Sequence, residues 1–122
     1  MDTARRIRAV LPPSTRITSL DFSDALHHIP IREADQVYLA FQVGDQRLCY
    51  GVLPFGLKTA PWAFTKVAHQ VRRCAIEQGL RLFQYIDDWL NAALPPECPR
   101  ELKLTTIRLV NMCISLGLEF NF

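Results

Sequence analysis

The chain has 122 residues, of which 49% are hydrophobic and 21% charged, a composition that suits one domain with a buried core. This balance excludes an intrinsically disordered chain. No apolar run is close to the length of a membrane-spanning helix, which needs about 18 residues. The net charge of +2 is too small to indicate nucleic-acid binding by itself.

The N-terminus and the cysteines favour an intracellular location, cytoplasmic or nuclear, without a membrane partner. No apolar stretch of signal-peptide type follows the first residues, so secretion is not expected. Cys49, Cys74, Cys98 and Cys113 lack the paired spacing of a zinc site and the density of a disulfide scaffold. We therefore expect them to be reduced thiols.

Two β-structures are predicted in the first half of the chain. Residues within Arg16–Phe22 alternate between the two faces of an extended chain. This pattern predicts a half-buried strand with Leu20 and Phe22 on the inner face and Asp21 on the outer one. Segments 37–43 and 47–53 flank a short loop that contains Gly44, and this pattern predicts a β-hairpin.

A helix is predicted next, with Thr59 as its N-cap, Pro61 in its first turn and Gly79 as its stop after residue 78. Its predicted inward stripe is Phe64, Val67, Ala68, Val71 and Ala75. A strand over 80–86 then leads to Asp87 and Asp88, and a further apolar segment follows them. The two aspartates are therefore expected at or beside a hairpin tip.

Prolines at 95, 96 and 99 break the chain before a second helix, predicted over 101–116 and ended by Gly117. Its predicted inward stripe is Leu102, Ile107, Val110, Cys113 and Ile114. Residues 118–122 look like the start of a strand. The order of elements predicts an α+β fold, in which an antiparallel sheet is covered on one face by two helices.

Asp87 and Asp88 stand in an otherwise apolar segment, where like charges repel and apolar neighbours penalise ionisation. A divalent cation removes both costs, and Mg²⁺ needs few carboxylates because it keeps positions open for water and phosphate. Asp21 is the candidate third ligand, and it meets the pair if their strands are neighbours. Such a site suits two-metal in-line displacement, although an isolated Asp-Asp is more typical of a solvated turn.

Three segments carry a resemblance to reverse transcriptases. Tyr85-Ile-Asp-Asp resembles their tyrosine-x-Asp-Asp signature, LDFSDALHHIPI at 20–31 resembles their first palm motif, and LPFGLKTAPWAF at 53–64 resembles their second. The resemblance covers about 17–122 and is closest to retrotransposon enzymes. It implies a reverse-transcriptase palm that adds dNTPs to the 3′-hydroxyl of a primer on an RNA or DNA template.

The resemblance also implies roles for individual residues. Two Mg²⁺ ions, for which Mn²⁺ can substitute, would be held by the carboxylates of Asp21, Asp87 and Asp88. The backbone carbonyl of Phe22 would be an added ligand. Tyr85 would lie near the primer end or the template backbone, and Lys58 could reach phosphate.

Six residues are implied to contact the incoming nucleotide: Asp24, Ala25, Leu26, Phe55, Gly56 and Ile86. Leu26 matches the gate that rejects a 2′-hydroxyl, a position that is usually aromatic in the family. Gly56 would let the backbone approach closely. Ile86 matches a position that packs on the sugar from a strained turn.

Four other conspicuous side chains are expected to be structural. The adjacent His27 and His28 lack partners at ligand spacing, so packing or surface roles are favoured over metal binding. Trp62 and Trp89 are expected in the core rather than stacked on bases.

Residues 1–122 are predicted to be a single reverse-transcriptase domain fragment, a palm with part of the fingers and without the thumb. The remaining fingers, the thumb and possibly an RNase H domain would come from flanking sequence. We therefore expect weak or no polymerase activity from the chain alone, since its net charge of +2 offers few phosphate contacts.

Two alternatives belong to other functional classes. A catalytically silent retroelement relic, or a domesticated domain that binds nucleic acid or protein, would keep the same motifs without using them. A metal-dependent nuclease would explain the carboxylates but neither the segment at 53–64 nor the order of the motifs.

Overall fold

An antiparallel sheet of four strands organises the chain in the computed structural model, which describes residues 2–97 and 99–121. The helices and strands are, in order, α1 (Ala4–Val10), β1 (Arg16–Phe22), β2 (Ala40–Val43), β3 (Gln46–Cys49), α2 (Ala60–Glu77), β4 (Leu82–Tyr85), β5 (Asp88–Ala93), α3 (Pro99–Ser115) and β6 (Phe120–Asn121). Two 3-10 helices, Ala25–His28 and Glu33–Leu39, lie between β1 and β2. The predicted α+β class is confirmed.

The strand order in the sheet is β4-β5-β1-β6. β1 pairs antiparallel with β5 along its length, from Arg16 opposite Ala93 to Asp21 opposite Asp88. The β2–β3 hairpin forms a separate two-stranded sheet. The sheet therefore joins the segment of the first motif directly to the segment that contains the two adjacent aspartates.

Helices α2 and α3 cover one face of the sheet, as predicted, with α2 against β4 and α3 against β1 and β5. Strand alternation buries Leu20, Phe22 and Trp89 on this side. The Phe22 ring stacks on Phe120 at 4.4 Å between centroids and meets the Trp89 ring edge-on at 4.5 Å. These aromatic rings belong to the hydrophobic core. We call the other side of the sheet the open face.

The N-terminal segment is attached to the free edge of β4. Asp2 donates its backbone N–H to the Gln84 carbonyl at 3.0 Å, and its carboxylate accepts from the Gln84 N–H at 3.2 Å. Arg72 of α2 pairs with the same carboxylate at 2.8 Å. Helix α1, which follows, lines a cleft of about 580 Å³ on the open face together with Phe83 and Leu90. Helix α1 was not predicted from the sequence.

The predicted inward stripes were wrong at three positions. Val67, Ile107 and Ile114 are 40%, 45% and 54% exposed. Counted around α3 at 3.6 residues per turn, Ile107 lies about 140° from the buried Leu102, whereas Leu109 lies within about 20° of it. Leu109, which was not predicted, is accordingly fully buried.

Both predicted strands of the hairpin were too long, since β3 ends at Cys49 rather than at residue 53. Residues 37–39 belong to a 3-10 helix, and Val37 and Tyr38 are 67% and 83% exposed, so no core contact holds them in a strand. Thr59 precedes α2 as expected but makes no side-chain capping hydrogen bond. Phe122, the end of the predicted last strand, lies outside the described residues.

Cys49 and Cys74 are exposed, Cys113 is buried, and all three are free thiols, as predicted. Cys98 lies outside the described residues. Within residues 2–97 and 99–121, no helix has the length and apolar character needed to cross a bilayer.

Candidate active site

A row of four side chains crosses the sheet on its open face, one from each strand. The register pairs Tyr85 with Asp88, Asp88 with Asp21, and Asp21 with Asn121. Residues directly opposite each other project to the same face, with Cβ atoms about 4.5–5.5 Å apart. We call Tyr85, Asp88, Asp21 and Asn121 the cross-strand row. It places two exposed carboxylates side by side.

The turn beside the row, Ile86-Asp87, has an uncommon backbone conformation. Ile86 has a φ of +49°, which β-branched residues rarely adopt. The Nε1–H of the fully buried Trp89 donates to the Ile86 carbonyl at 3.0 Å. The indole therefore ties the turn to the core and opposes a backbone strain of about 1–3 kcal/mol.

Asp87 is not part of the cross-strand row, and it contacts β1 through its backbone. Its carbonyl accepts the Phe22 N–H at 3.4 Å, which extends the β1–β5 pairing into the turn. Across residues 2–97 and 99–121, no three His, Cys, Asp or Glu side chains gather closely enough to hold a metal ion. The structure thus pairs Asp21 with Asp88 and leaves Asp87 next to them in the turn.

The available donors fit a hard cation in a site that is open to solvent. Carboxylate and carbonyl oxygens are the ligands that Mg²⁺ prefers, and this ion is usually held by one or two carboxylates together with waters and substrate phosphates. Asp21 and Asp88 are exposed, so water and phosphate oxygens can reach both. The chemistry of these donors is therefore compatible with such a cation.

Asn121 is the member of the row that was not predicted from the sequence. Its Nδ2 group donates to Asp21 Oδ2 at 3.1 Å and lies 3.4 Å from the Phe22 carbonyl oxygen. The available signal was the alternation of residues 118–121, which buries Leu118 and Phe120 and turns Asn121 to the other face. Only the pairing of β6 with β1 shows which residue Asn121 meets.

The first motif continues from β1 into the 3-10 helix Ala25–His28. Asp24 precedes this helix with a left-handed backbone, at a φ of +46°, and is exposed. Ala25 and Leu26 are 5% and 6% exposed and belong to the core. Of the three, Asp24 is the one whose side chain reaches solvent, and the nucleotide contacts of all three remain predictions.

The second motif reaches the first through an aromatic contact. The Phe55 ring, 66% exposed, meets the His27 ring edge-on at 5.1 Å between centroids. Gly56 has a φ of +87°, and an added Cβ would meet no atom within 4 Å. The positive φ angle, and not a lack of space for a side chain, is therefore the reason that glycine is favoured at position 56.

His28 has the structural role expected of it. Its Nε2 accepts the Glu119 backbone N–H at 3.0 Å, and its Nδ1 lies 3.2 Å from the Ala25 carbonyl oxygen. One tautomer, with the proton on Nδ1, satisfies both contacts. His28 thereby joins the first motif to the segment that leads into β6.

Two further predicted site residues and one of the two tryptophans lie at the surface. Tyr85 is 51% exposed, and Lys58 is exposed. Trp89 is buried as expected, but the expectation that Trp62 lies in the core was wrong, since it is 64% exposed with Lys66 Nζ 5.2 Å from the ring centroid. Trp62 is two residues from both Ala60 and Phe64, so it points away from the buried side of α2.

Comparisons with known proteins identify the family of the chain but do not address the roles of single residues. Residues 3–121 match the family described as "Reverse transcriptase (RNA-dependent DNA polymerase)". Over 71 residues the chain is 35% identical to the "Retrovirus-related Pol polyprotein from transposon opus" of Drosophila melanogaster. That stretch is 58% of this chain and 7% of the polyprotein, so the chain corresponds to a small part of that relative.

Proposed function

This chain belongs to the reverse transcriptase (RNA-dependent DNA polymerase) family, and we propose that it carries the catalytic centre of a retrotransposon polymerase. The substrates would be dNTPs and the 3′-hydroxyl of a primer on an RNA or DNA template. The observation that best supports the proposal is the register pair of Asp21 and Asp88 on the open face, next to Asp87. Two like charges placed directly opposite each other destabilise a sheet, so a catalytic role explains this pair better than folding does.

Asp21, Asp87, Asp88 and the Phe22 carbonyl would hold two Mg²⁺ ions, with Mn²⁺ as a substitute. When bound, such ions neutralise the triphosphate and lower the pKa of the attacking hydroxyl. The chain's own contribution is placement, because β1 and β5 fix two carboxylates in register and the Trp89–Ile86 hydrogen bond holds the turn that carries Asp87.

The nucleotide would be bound on the side of the row where the two motifs meet. The His27–Phe55 contact brings Phe55 and Gly56 beside the helix that begins at Ala25, with Asp24 before it and Leu26 within it. Ile86 would pack on the sugar from its strained turn. Tyr85, at the end of the row, would lie next to the primer or template, and Lys58 is exposed to bind phosphate.

Activity of the chain alone would be limited by its affinity for nucleic acid. A net charge of +2 supplies few of the phosphate contacts on which such affinity depends, and these contacts weaken steeply with salt. Incorporation would therefore be weak at low ionic strength and absent at physiological ionic strength.

A catalytically silent relic, or a domesticated binding domain, is the second candidate. The observation in its favour is that no three ligand-type side chains gather within the described residues. The two candidates differ in cation binding, since a polymerase site must bind divalent ions through the row and a silent domain need not.

Isothermal titration with Mn²⁺ separates the two candidates. We expect the wild type to bind Mn²⁺, and Asp21→Asn and Asp88→Asn each to weaken binding at least about tenfold because a direct ligand is lost. Asp45→Asn, in the exposed turn between β2 and β3, is the matched control and should bind as the wild type does. Wild-type binding that is absent, or unchanged in both site variants, would favour the silent domain.

A further inference from the structure

The side-chain amide of Asn121 touches two of the oxygen atoms that the proposed function assigns to a divalent cation. We propose that Asn121 is a positioning residue, which orients the Asp21 carboxylate and the Phe22 carbonyl for cation binding. The inference rests on the proposed function, and it adds a residue that does not itself ligate the ion.

The geometry uses both donors of the amide. Asn121 lies opposite Asp21 in the β1–β6 pairing, and Nδ2 is 3.1 Å from Asp21 Oδ2 and 3.4 Å from the Phe22 carbonyl oxygen. A primary amide has two N–H groups in one plane, so one Nδ2 can serve both acceptors. The flipped amide would direct its oxygen at two acceptors, which is unfavourable, so the side chain is assigned as the donor.

The contact leaves room for a cation. A carboxylate has about four lone-pair sites on its two oxygens, and the Asn121 bond to Oδ2 occupies one of them. The Phe22 carbonyl likewise keeps a second lone pair. The two acceptors are therefore held relative to each other while each can still accept a further partner.

The absence of charge on the amide matters as much as its position. Within residues 2–97 and 99–121, no lysine or arginine forms an ion pair with Asp21 or Asp88. A cationic partner would neutralise the carboxylate and compete with a divalent ion, whereas an amide orients it and leaves its negative charge available. Hydrogen-bonding partners of this kind commonly change metal affinity by about 10–100-fold when they are removed.

The test is the Mn²⁺ affinity of the whole chain, measured from the electron paramagnetic resonance signal of free Mn²⁺. We expect Asn121→Ala to bind Mn²⁺ about 10–100-fold more weakly than the wild type. Asn111→Ala removes the same side chain from an exposed position on α3, on the other side of the sheet, and should bind as the wild type does. Circular dichroism establishes that each variant is folded.

A second variant keeps the inference testable if Asn121→Ala does not fold. Asn121→Asp replaces the donor by a carboxylate that faces Asp21, so it should lower Tm in EDTA. Added Mn²⁺ relieves the repulsion, and we expect it to raise Tm by more in this variant than in the wild type.

The outcomes distinguish the inference from the proposed function. If the wild type binds Mn²⁺ through Asp21 while Asn121→Ala binds equally well, the inference is wrong and the proposed function stands. If Mn²⁺ raises the Tm of Asn121→Asp no more than that of the wild type, the inference is also overturned. If the wild type does not bind Mn²⁺ at all, both proposals fail together.

Discussion

At the scale of single residues, the candidate site consists of groups that are unfavourable for folding. Asp21 and Asp88 face each other across two strands without a cationic partner among the described residues. Ile86 has a backbone conformation that glycine or asparagine would adopt with less strain. Residues that lower the stability of the fold in this way are typical of functional sites rather than of the packed core.

Replacing one carboxylate of the pair should stabilise the metal-free protein. In EDTA, Asp88→Asn removes a like-charge contact worth about 0.2–1 kcal/mol, which corresponds to a rise in Tm of up to about 4 °C for a domain of this size. In excess Mn²⁺ the gain should vanish or reverse, because the wild type then gains stability from the bound ion. Differential scanning fluorimetry measures both values, and a lower Tm for Asp88→Asn in EDTA would contradict the account.

At the scale of elements, the indole of Trp89 links the turn of the β4–β5 hairpin to the core. Trp89 packs edge-on against Phe22 and donates to the Ile86 carbonyl. The same side chain thus fills the core below the site and holds the strained turn above it.

Trp89→Phe should preserve much of the packing and lose the hydrogen bond. The Ile86 carbonyl then lacks its partner, which costs about 1–3 kcal/mol beyond the smaller ring volume. Urea unfolding measures the difference. Trp62→Phe, at a side chain 64% exposed, should change stability by less than about 0.5 kcal/mol. Similar losses in the two variants would show that the indole does not hold the turn.

Elements with local signals were the ones predictable from sequence. The alternation of Arg16–Phe22 and the glycine after residue 78 are local patterns, and β1 and α2 begin and end at or near their predicted bounds. The pairing of β1 with both β5 and β6 depends on distant segments. For that reason the partner of Asp21 was predicted only on the condition that the strands are neighbours, and Asn121 was not predicted at all.

At the scale of the whole molecule, the core and the site share β1 and β5, one on each side of the sheet. Cys113 illustrates the core side, since it is fully buried on α3 and its burial raises the pKa of its thiol from 9.0 to about 12. The folded protein therefore keeps the Cys113 proton to higher pH than the unfolded chain does.

This pKa difference predicts a loss of stability in alkali. Between pH 9 and about 12 the unfolded thiol ionises while the folded one stays neutral, so the free energy of unfolding should fall with pH by up to about 1.4 kcal/mol per unit from this group. Urea unfolding at successive pH values should give a shallower slope for Cys113→Ala, whereas Cys74→Ala, at an exposed position on α2, should keep the wild-type slope. Equal slopes for wild type and Cys113→Ala would contradict the prediction.

Primer extension at low ionic strength tests the proposal that the three aspartates catalyse nucleotide transfer. With Mg²⁺ or Mn²⁺, an RNA template and a DNA primer, we expect slow addition of the complementary dNTP by the wild type and by Asp45→Asn. In Asp87→Asn the addition should fall to background. Addition that persists in Asp87→Asn would contradict the claim.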